Sequence, residues 1–290
     1  MFSTTSIRLL GLVLVGSFAY PATVSMAEPV ETHPANQAEL RFELSNGLII
    51  VKGSIGSTKD VNFILDTGTS PTTVDKEIAD RLRLRGNAGF ELTANGMVRV
   101  ERVTLSGLRI GGICAHSISV VVEDLSFVGR RLGMYIAGIA GLDVLSGGNF
   151  TIDYPKRRIL FGRSELTWKS VHFEKLTPFL IVKVKIDDRQ LQLLVDCGTA
   201  GIVIYRKRLE PLSERLHFDN SSVETATGTS QSGWFLAANM SLGEENLGRQ
   251  PVLIADSDPV ADDFDGLLGF VSLGFHKVTF DFEHGLLEWN

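Results

Sequence analysis

Cysteine is scarce, with two residues, Cys114 and Cys197, in a chain of 290. A disulfide-stapled scaffold is thereby excluded, since at most one bridge can form. Cys114 falls on an expected strand and Cys197 inside a motif described below, so two buried thiols are preferred over that bridge. Basic runs are missing too. With 28 Lys and Arg against 34 Asp and Glu, the net charge is −6 and the isoelectric point near 5.6. This excludes the basic face that a nucleic-acid partner needs. The six His are scattered without a His-Glu-x-x-His pattern, so no metal and no cofactor are expected. Cys114 and His116 lack a third group that would orient them as a nucleophile pair. The acidic stretch from Asp256 to Gly266 carries Pro259 and no closing Glu, and reads as a solvated loop rather than a calcium loop.

Long apolar runs are equally rare. The run Leu9 to Gly16 follows Arg8, is shorter than the ~20 residues of a spanning helix, and leads to the small-residue site Ser25-Met26-Ala27. Residues 1–27 therefore read as a signal peptide. Its removal implies an exported protein, periplasmic or extracellular, with no stable membrane insertion afterwards. Residues 28–38, polar and with two prolines, read as a flexible leader.

What the chain does contain is a duplicated stretch. Phe63-Ile64-Leu65-Asp66-Thr67-Gly68-Thr69-Ser70 returns 130 positions later as Leu193-Leu194-Val195-Asp196-Cys197-Gly198-Thr199-Ala200. Ile139-Ala140-Gly141 and Thr151-Ile152-Asp153-Tyr154 recur as Leu267-Leu268-Gly269 and Thr279-Phe280-Asp281-Phe282, shifted by 128. Thr93-Ala94-Asn95-Gly96 is echoed by Thr225-Ala226-Thr227-Gly228. Several anchors in one order, at nearly one shift, make an internal duplication.

The 44% hydrophobic content supports two modest cores, and abundant Val, Ile, Leu and Phe favours strands. Expected strands include 48–51, 61–65, 98–105, 113–122 and 180–186, with turn signals at Asn46-Gly47 and Asn95-Gly96. Val74, Ile78 and Leu82 at helical spacing predict a short helix over 73–82. The copies are expected at 39–162 and 176–290, joined by a linker at 163–175.

The chemistry follows from the repeated Asp. Water is a poor nucleophile toward an amide, so a hydrolase without metal or nucleophilic side chain needs one group to take its proton and another to protonate the carbonyl. Two carboxyls held close together cannot both ionise, and so provide both. The apolar triplets would bring Asp66 and Asp196 into a desolvated centre. Gly68 and Gly198 let the backbone curl around each carboxylate, and Thr69 and Thr199 place hydroxyls within reach as orienting partners.

The ordered set of Asp66-Thr67-Gly68-Thr69, Asp196-Cys197-Gly198-Thr199 and the two apolar-Gly segments resembles the aspartic proteases, and among them a retropepsin-like unit duplicated in one chain. The resemblance implies an all-β fold of two similar closed, barrel-like lobes with the active site between them, acting as a monomer with internal pseudo-two-fold symmetry. It implies an aspartic endopeptidase acting on a peptide or protein substrate, with Asp66 and Asp196 catalytic. It also implies flap hairpins, for which Asn95 and Gly96, and Gly228 with Trp234, are the candidates. The departure is Cys197. In the family a Thr or Ser stands there, whose hydroxyl, like that of Thr67, would bond across to the other lobe, and a thiol is a weaker donor. The alternative reading is therefore a weak or inactive protease-like module that binds extended peptides. A purely structural envelope protein is the third.

Overall fold

β-branched and aromatic residues alternating with polar ones turn most of this chain into strand. The computed structural model describes residues 12–13, 31–32, 39–93, 96–162, 169–176, 178–209, 221–225, 228–255 and 264–290. Two short pieces come first, β1 (Leu12–Val13) and β2 (Glu31–Thr32). The first copy continues with β3 (Glu39–Ser45), β4 (Leu48–Ile55), β5 (Thr58–Leu65), β6 (Thr73–Asp75), α1 (Lys76–Arg81), β7 (Asn87–Thr93), β8 (Gly96–Ile110), β9 (Ile113–Glu123), α2 (Ser126–Leu132), β10 (Gly138–Ala140), α3 (Leu142–Leu145), β11 (Phe150–Asp153) and β12 (Arg158–Phe161). The second follows with β13 (Lys169–His172), β14 (Glu174–Leu176), β15 (Phe179–Ile186), β16 (Arg189–Val195), β17 (Ile202–Tyr205), β18 (Ser221–Thr225), β19 (Gly228–Leu242), β20 (Glu245–Ala255), β21 (Gly266–Leu268), β22 (Lys277–Asp281) and β23 (Leu286–Trp289).

Each copy closes a ring of strands. In the first, β4, β5, β10, β6, β9 and β8 pair in turn, and β8 returns to β4. The second runs β15, β16, β21, β17, β20 and β19, with β19 returning to β15. Closure leaves no free edge around either core. The equivalent strands keep equivalent partners. Phe63, Ile64 and Leu65 of β5 lie parallel to Gly138, Ile139 and Ala140, while Leu193, Leu194 and Val195 of β16 lie parallel to Gly266, Leu267 and Leu268. The all-β, two-lobe expectation thus holds.

A third layer joins the copies. β13, β23, β22, β11, β12 and β3 form one antiparallel sheet, the first three strands from the second copy and the last three from the first. At its centre β11 meets β22 with Thr151 opposite Thr279. These duplicated residues bond to each other through their hydroxyls at 2.8 Å, fully buried. Phe150 stacks on Phe280 beside them at 4.7 Å between ring centroids. The pseudo-symmetry axis therefore runs through this hydroxyl pair.

Two expectations shift. The helix expected over 73–82 begins later, because Thr73 and Val74 are taken up as strand between β9 and β10. Asp75 then caps α1, accepting from Glu77 N at 3.0 Å. In the expected linker, residues 163–168 lie outside the described residues, but 169–172 is strand β13 on β23, and 174–176 is β14 on β15. Much of the joining segment is thus sewn into sheets. No helix among the described residues is long and apolar enough to cross a membrane.

Replacing either axial hydroxyl alone, Thr151→Val or Thr279→Val, orphans the other in a buried site and is expected to cost about 1–3 kcal/mol. The double change should be nearly neutral, with the difference read as coupling energy in a double-mutant cycle followed by urea denaturation.

Candidate active site

Each motif Asp stands at the end of a fully buried strand, where the apolar triplet before it cannot leave the core. Phe63, Ile64, Leu65 and Leu193, Leu194, Val195 are all at 0% exposure, as are Asp66 and Asp196. The backbone beyond each Asp is tied to the apolar-Gly strand of its own lobe, Asp66 N donating to Ala140 O at 3.0 Å and Asp196 N to Leu268 O at 3.0 Å. Behind each Asp the chain turns sharply, and its carboxylate accepts from the glycine two residues on, at 2.7 Å from Gly68 N and 2.7 Å from Gly198 N.

The two turns cross over each other. A Cβ built on Gly68 would lie 2.6 Å from Cγ of Asp196, and one on Gly198 would lie 2.5 Å from Cγ of Asp66. Each carboxyl thus rests on the glycine of the opposite lobe. The two carboxyls are near enough that each perturbs the titration of the other. Two buried carboxyls this close cannot both ionise, so the pair carries one proton.

The loops also grip one another. Thr67 Oγ1 donates to Val195 O at 2.9 Å and accepts from Cys197 N at 3.0 Å. In the mirror position the Cys197 thiol donates to Leu65 O at 3.4 Å. Burial first, and then the charges of Asp66 and Asp196, push this thiol's pKa up, so it remains a neutral donor. Both cysteines are free and buried.

The dyad is not symmetric. Burial raises the pKa of Asp66, while bonds from Asp196, from Thr69 and from Gly68 pull it back. Thr69 Oγ1 reaches Asp66 Oδ2 at 2.7 Å. Asp196 is pushed well up by burial, by the Asp66 charge and by its bond to Asp66. Its Thr199 lowers it only weakly and completes no hydrogen bond. Asp196 Oδ2 and Thr199 Oγ1 are both left without a hydrogen-bonding partner. Asp66 is the carboxylate with more hydrogen-bond donors, so the shared proton resides on Asp196.

This crossed pair of Asp-x-Gly turns can be compared with known families. The chain matches the family described as aspartyl protease twice, over residues 51–144 and 182–271, together more than half of its length. The chain belongs to the aspartyl protease family. No curated protein matches it. The double match of the aspartyl protease unit accords with the retropepsin-like duplication read from the sequence.

Other features of this aspartyl protease family member lie away from the dyad. Two hairpins occupy equivalent places, β7–β8 with Thr93 opposite Gly96 and β18–β19 with Thr225 opposite Gly228. Asn95 lies outside the described residues. Trp234 sits well along β19, opposite Leu253 and half-buried against the Leu194 and Val203 cluster, rather than at a tip. Among the described residues, the grouping nearest to a metal set is Asp281, Glu283 and His284. There both Asp281 oxygens are engaged, by Asn149, by His284 N and by His284 Nδ1. Sequence reasoning missed Thr72 and Asp143, which bond beneath the first loop. An acidic residue two positions after Gly141, facing Val271 at the repeat position, was the available signal.

Cys197→Thr is expected to raise stability by about 0.5–1.5 kcal/mol, since a hydroxyl would donate to Leu65 O as Thr67 does to Val195 O. Cys197→Val should lower it. Thermal unfolding of the three proteins decides this. Gly68→Ala drives a methyl into Asp196 and should abolish the dyad geometry.

Proposed function

We propose that this protein is an exported aspartic endopeptidase that hydrolyses peptide bonds by attack of a water held between Asp66 and Asp196. The crossing of the two turns carries this reading, because it supplies one buried proton shared by two carboxyls. Asp66, the ionised member, takes a proton from the attacking water. Asp196, the protonated member, gives its proton to the carbonyl oxygen of the scissile amide. The resulting tetrahedral centre collapses once the amine nitrogen is protonated, with the carboxyls returning to their starting states. Thr67, Cys197, Gly68 and Gly198 hold the carboxyls in place rather than reacting. The two hairpins, with Gly96 and Gly228 beside their turns, serve as flaps over an extended peptide. The protein acts as a monomer, and export follows loss of residues 1–27. The apolar N-terminal run supports the export.

One observation favours a second reading. The grip from Cys197, at 3.4 Å against 2.9 Å for Thr67, is weak, as expected of a module that binds peptides without cutting them.

A peptide-library digestion between pH 3 and 7 separates the two. Turnover by the wild type that falls by about 100- to 10,000-fold in both Asp66→Asn and Asp196→Asn supports the endopeptidase. Peptide binding without turnover supports the binding module. Activity should be bell-shaped in pH, failing on the acid side as Asp66 gains a proton and on the alkaline side as Asp196 loses its own. Stability should follow the same proton. The folded value of Asp196 is raised above the ordinary 3.8, so its contribution is full below that value. It is lost as pH rises through the folded value. Melting temperature should therefore drop over that alkaline-side window in the wild type, and less so in Asp196→Asn.

A further inference from the structure

The two motif loops are fastened to their lobes in different ways. In the second lobe the fastening is backbone to backbone, with Asp196 N on Leu268 O, Gly269 N on Gly201 O at 2.9 Å and Ser272 N on Ala200 O at 2.8 Å. In the first lobe two backbone bonds, Asp66 N on Ala140 O and Leu142 N on Thr69 O at 2.7 Å, are joined by a side-chain clamp. Thr72 N lies 3.0 Å from each oxygen of Asp143, and Thr72 Oγ1 donates to Asp143 Oδ1 at 2.7 Å. The same hydroxyl accepts from Gly141 N at 3.0 Å. Thr72 thus bridges Gly141 and Asp143 and closes the loop that opens at Asp66.

The repeat gives this clamp no counterpart. Asp143 corresponds to Val271 and Thr72 to Ile202, neither of which can donate or accept through its side chain. Asp143 is a third carboxyl near the dyad, partly buried, and desolvation raises its pKa against the pull of its Thr72 bonds. Such a group persists where its bonds hold something in place. The geometry is also tight, since a Cβ on Gly141 would lie 2.5 Å from Thr69 O and 2.9 Å from Asp143 Oδ1. Thr69 is the residue whose hydroxyl gives Asp66 the extra hydrogen bond that Asp196 lacks. Asp143 further lines a cavity of about 310 Å³ with Ser70 and Leu142 of the first copy and Lys175, Phe179 and Phe282 of the second. The clamp therefore sits at the junction of the two copies.

We propose that Asp143 is a positioning residue for Asp66: through Thr72 it fixes the 66–72 loop so that Thr69 and Gly68 meet the Asp66 carboxylate, a role the second lobe fills by backbone alone. The inference rests on the endopeptidase reading for its kinetic part only. Asn can replace it, because Oδ1 of Asp143 already receives both Thr72 donors.

The test compares Asp143→Ala with Asp143→Asn, each checked for folding by circular dichroism, by peptide-library kinetics and by a pH titration of 13C-carboxyl-labelled Asp in NMR spectra. Asp143→Ala should lower kcat by about 10- to 100-fold with KM little changed, and should shift the Asp66 titration upward. Asp143→Asn should stay within about threefold of the wild type, because its bonds survive. If Asp143→Ala does not fold, Thr72→Val against Thr72→Ser makes the same comparison, with the serine expected to rescue. Unchanged kcat and an unchanged Asp66 titration in a folded Asp143→Ala protein overturn the proposal. Equal damage from Ala and Asn, or a loss confined to KM, does so too. A wild type that never turns over refutes the endopeptidase reading alone, and the Asp66 titration then decides the role of Asp143.

Discussion

Two buried carboxyl groups in contact cannot both be charged, and the rest of this molecule is arranged to keep them in contact nonetheless. The cost of desolvating even one of them is large, so the surroundings must hold them apart from water and together with each other. Two closed rings supply the dry walls, since each delivers its Asp from the end of a strand at 0% exposure. The shared sheet sets the relation of one ring to the other. The crossed glycines remove the last obstacle, because no residue with a Cβ fits where the opposite carboxyl lies.

The duplication produces near-symmetry, and the departures from it do the chemical work. Thr69 completes its bond to Asp66 while Thr199 completes none to Asp196. Thr67 bonds across with a hydroxyl while Cys197 uses a thiol. One side of the pair is consequently better hydrogen-bonded and more firmly held than the other. A perfectly symmetric pair would leave the proton evenly divided; here the protein decides where it sits.

Much of this was legible in the sequence, because the evidence was a pattern repeated at a nearly constant shift. Asp66, Asp196 and their glycines stood out from the repeat, and the apolar triplets before each Asp marked both as ends of buried segments. What could not be read were features set by partners far along the chain. Thr73 and Val74 look helical by spacing, yet flanking strands capture them. Lys169 to His172 looks like a polar joint until β23 arrives to pair with it. Asp143 differs from Val271 at the repeat position, but its meaning depends on Thr72, which is brought to it only by the folded loop.

The sheet that unites the two copies has a temporal side. Its β22 and β23 are made from residues 277–281 and 286–289, translated after both rings are complete in the chain. Until the ribosome has passed them, β11 lacks the neighbour that joins it to the second copy. The hydroxyl pair of Thr151 and Thr279 at the middle of that sheet is thus a late contact, made only once the second ring has emerged.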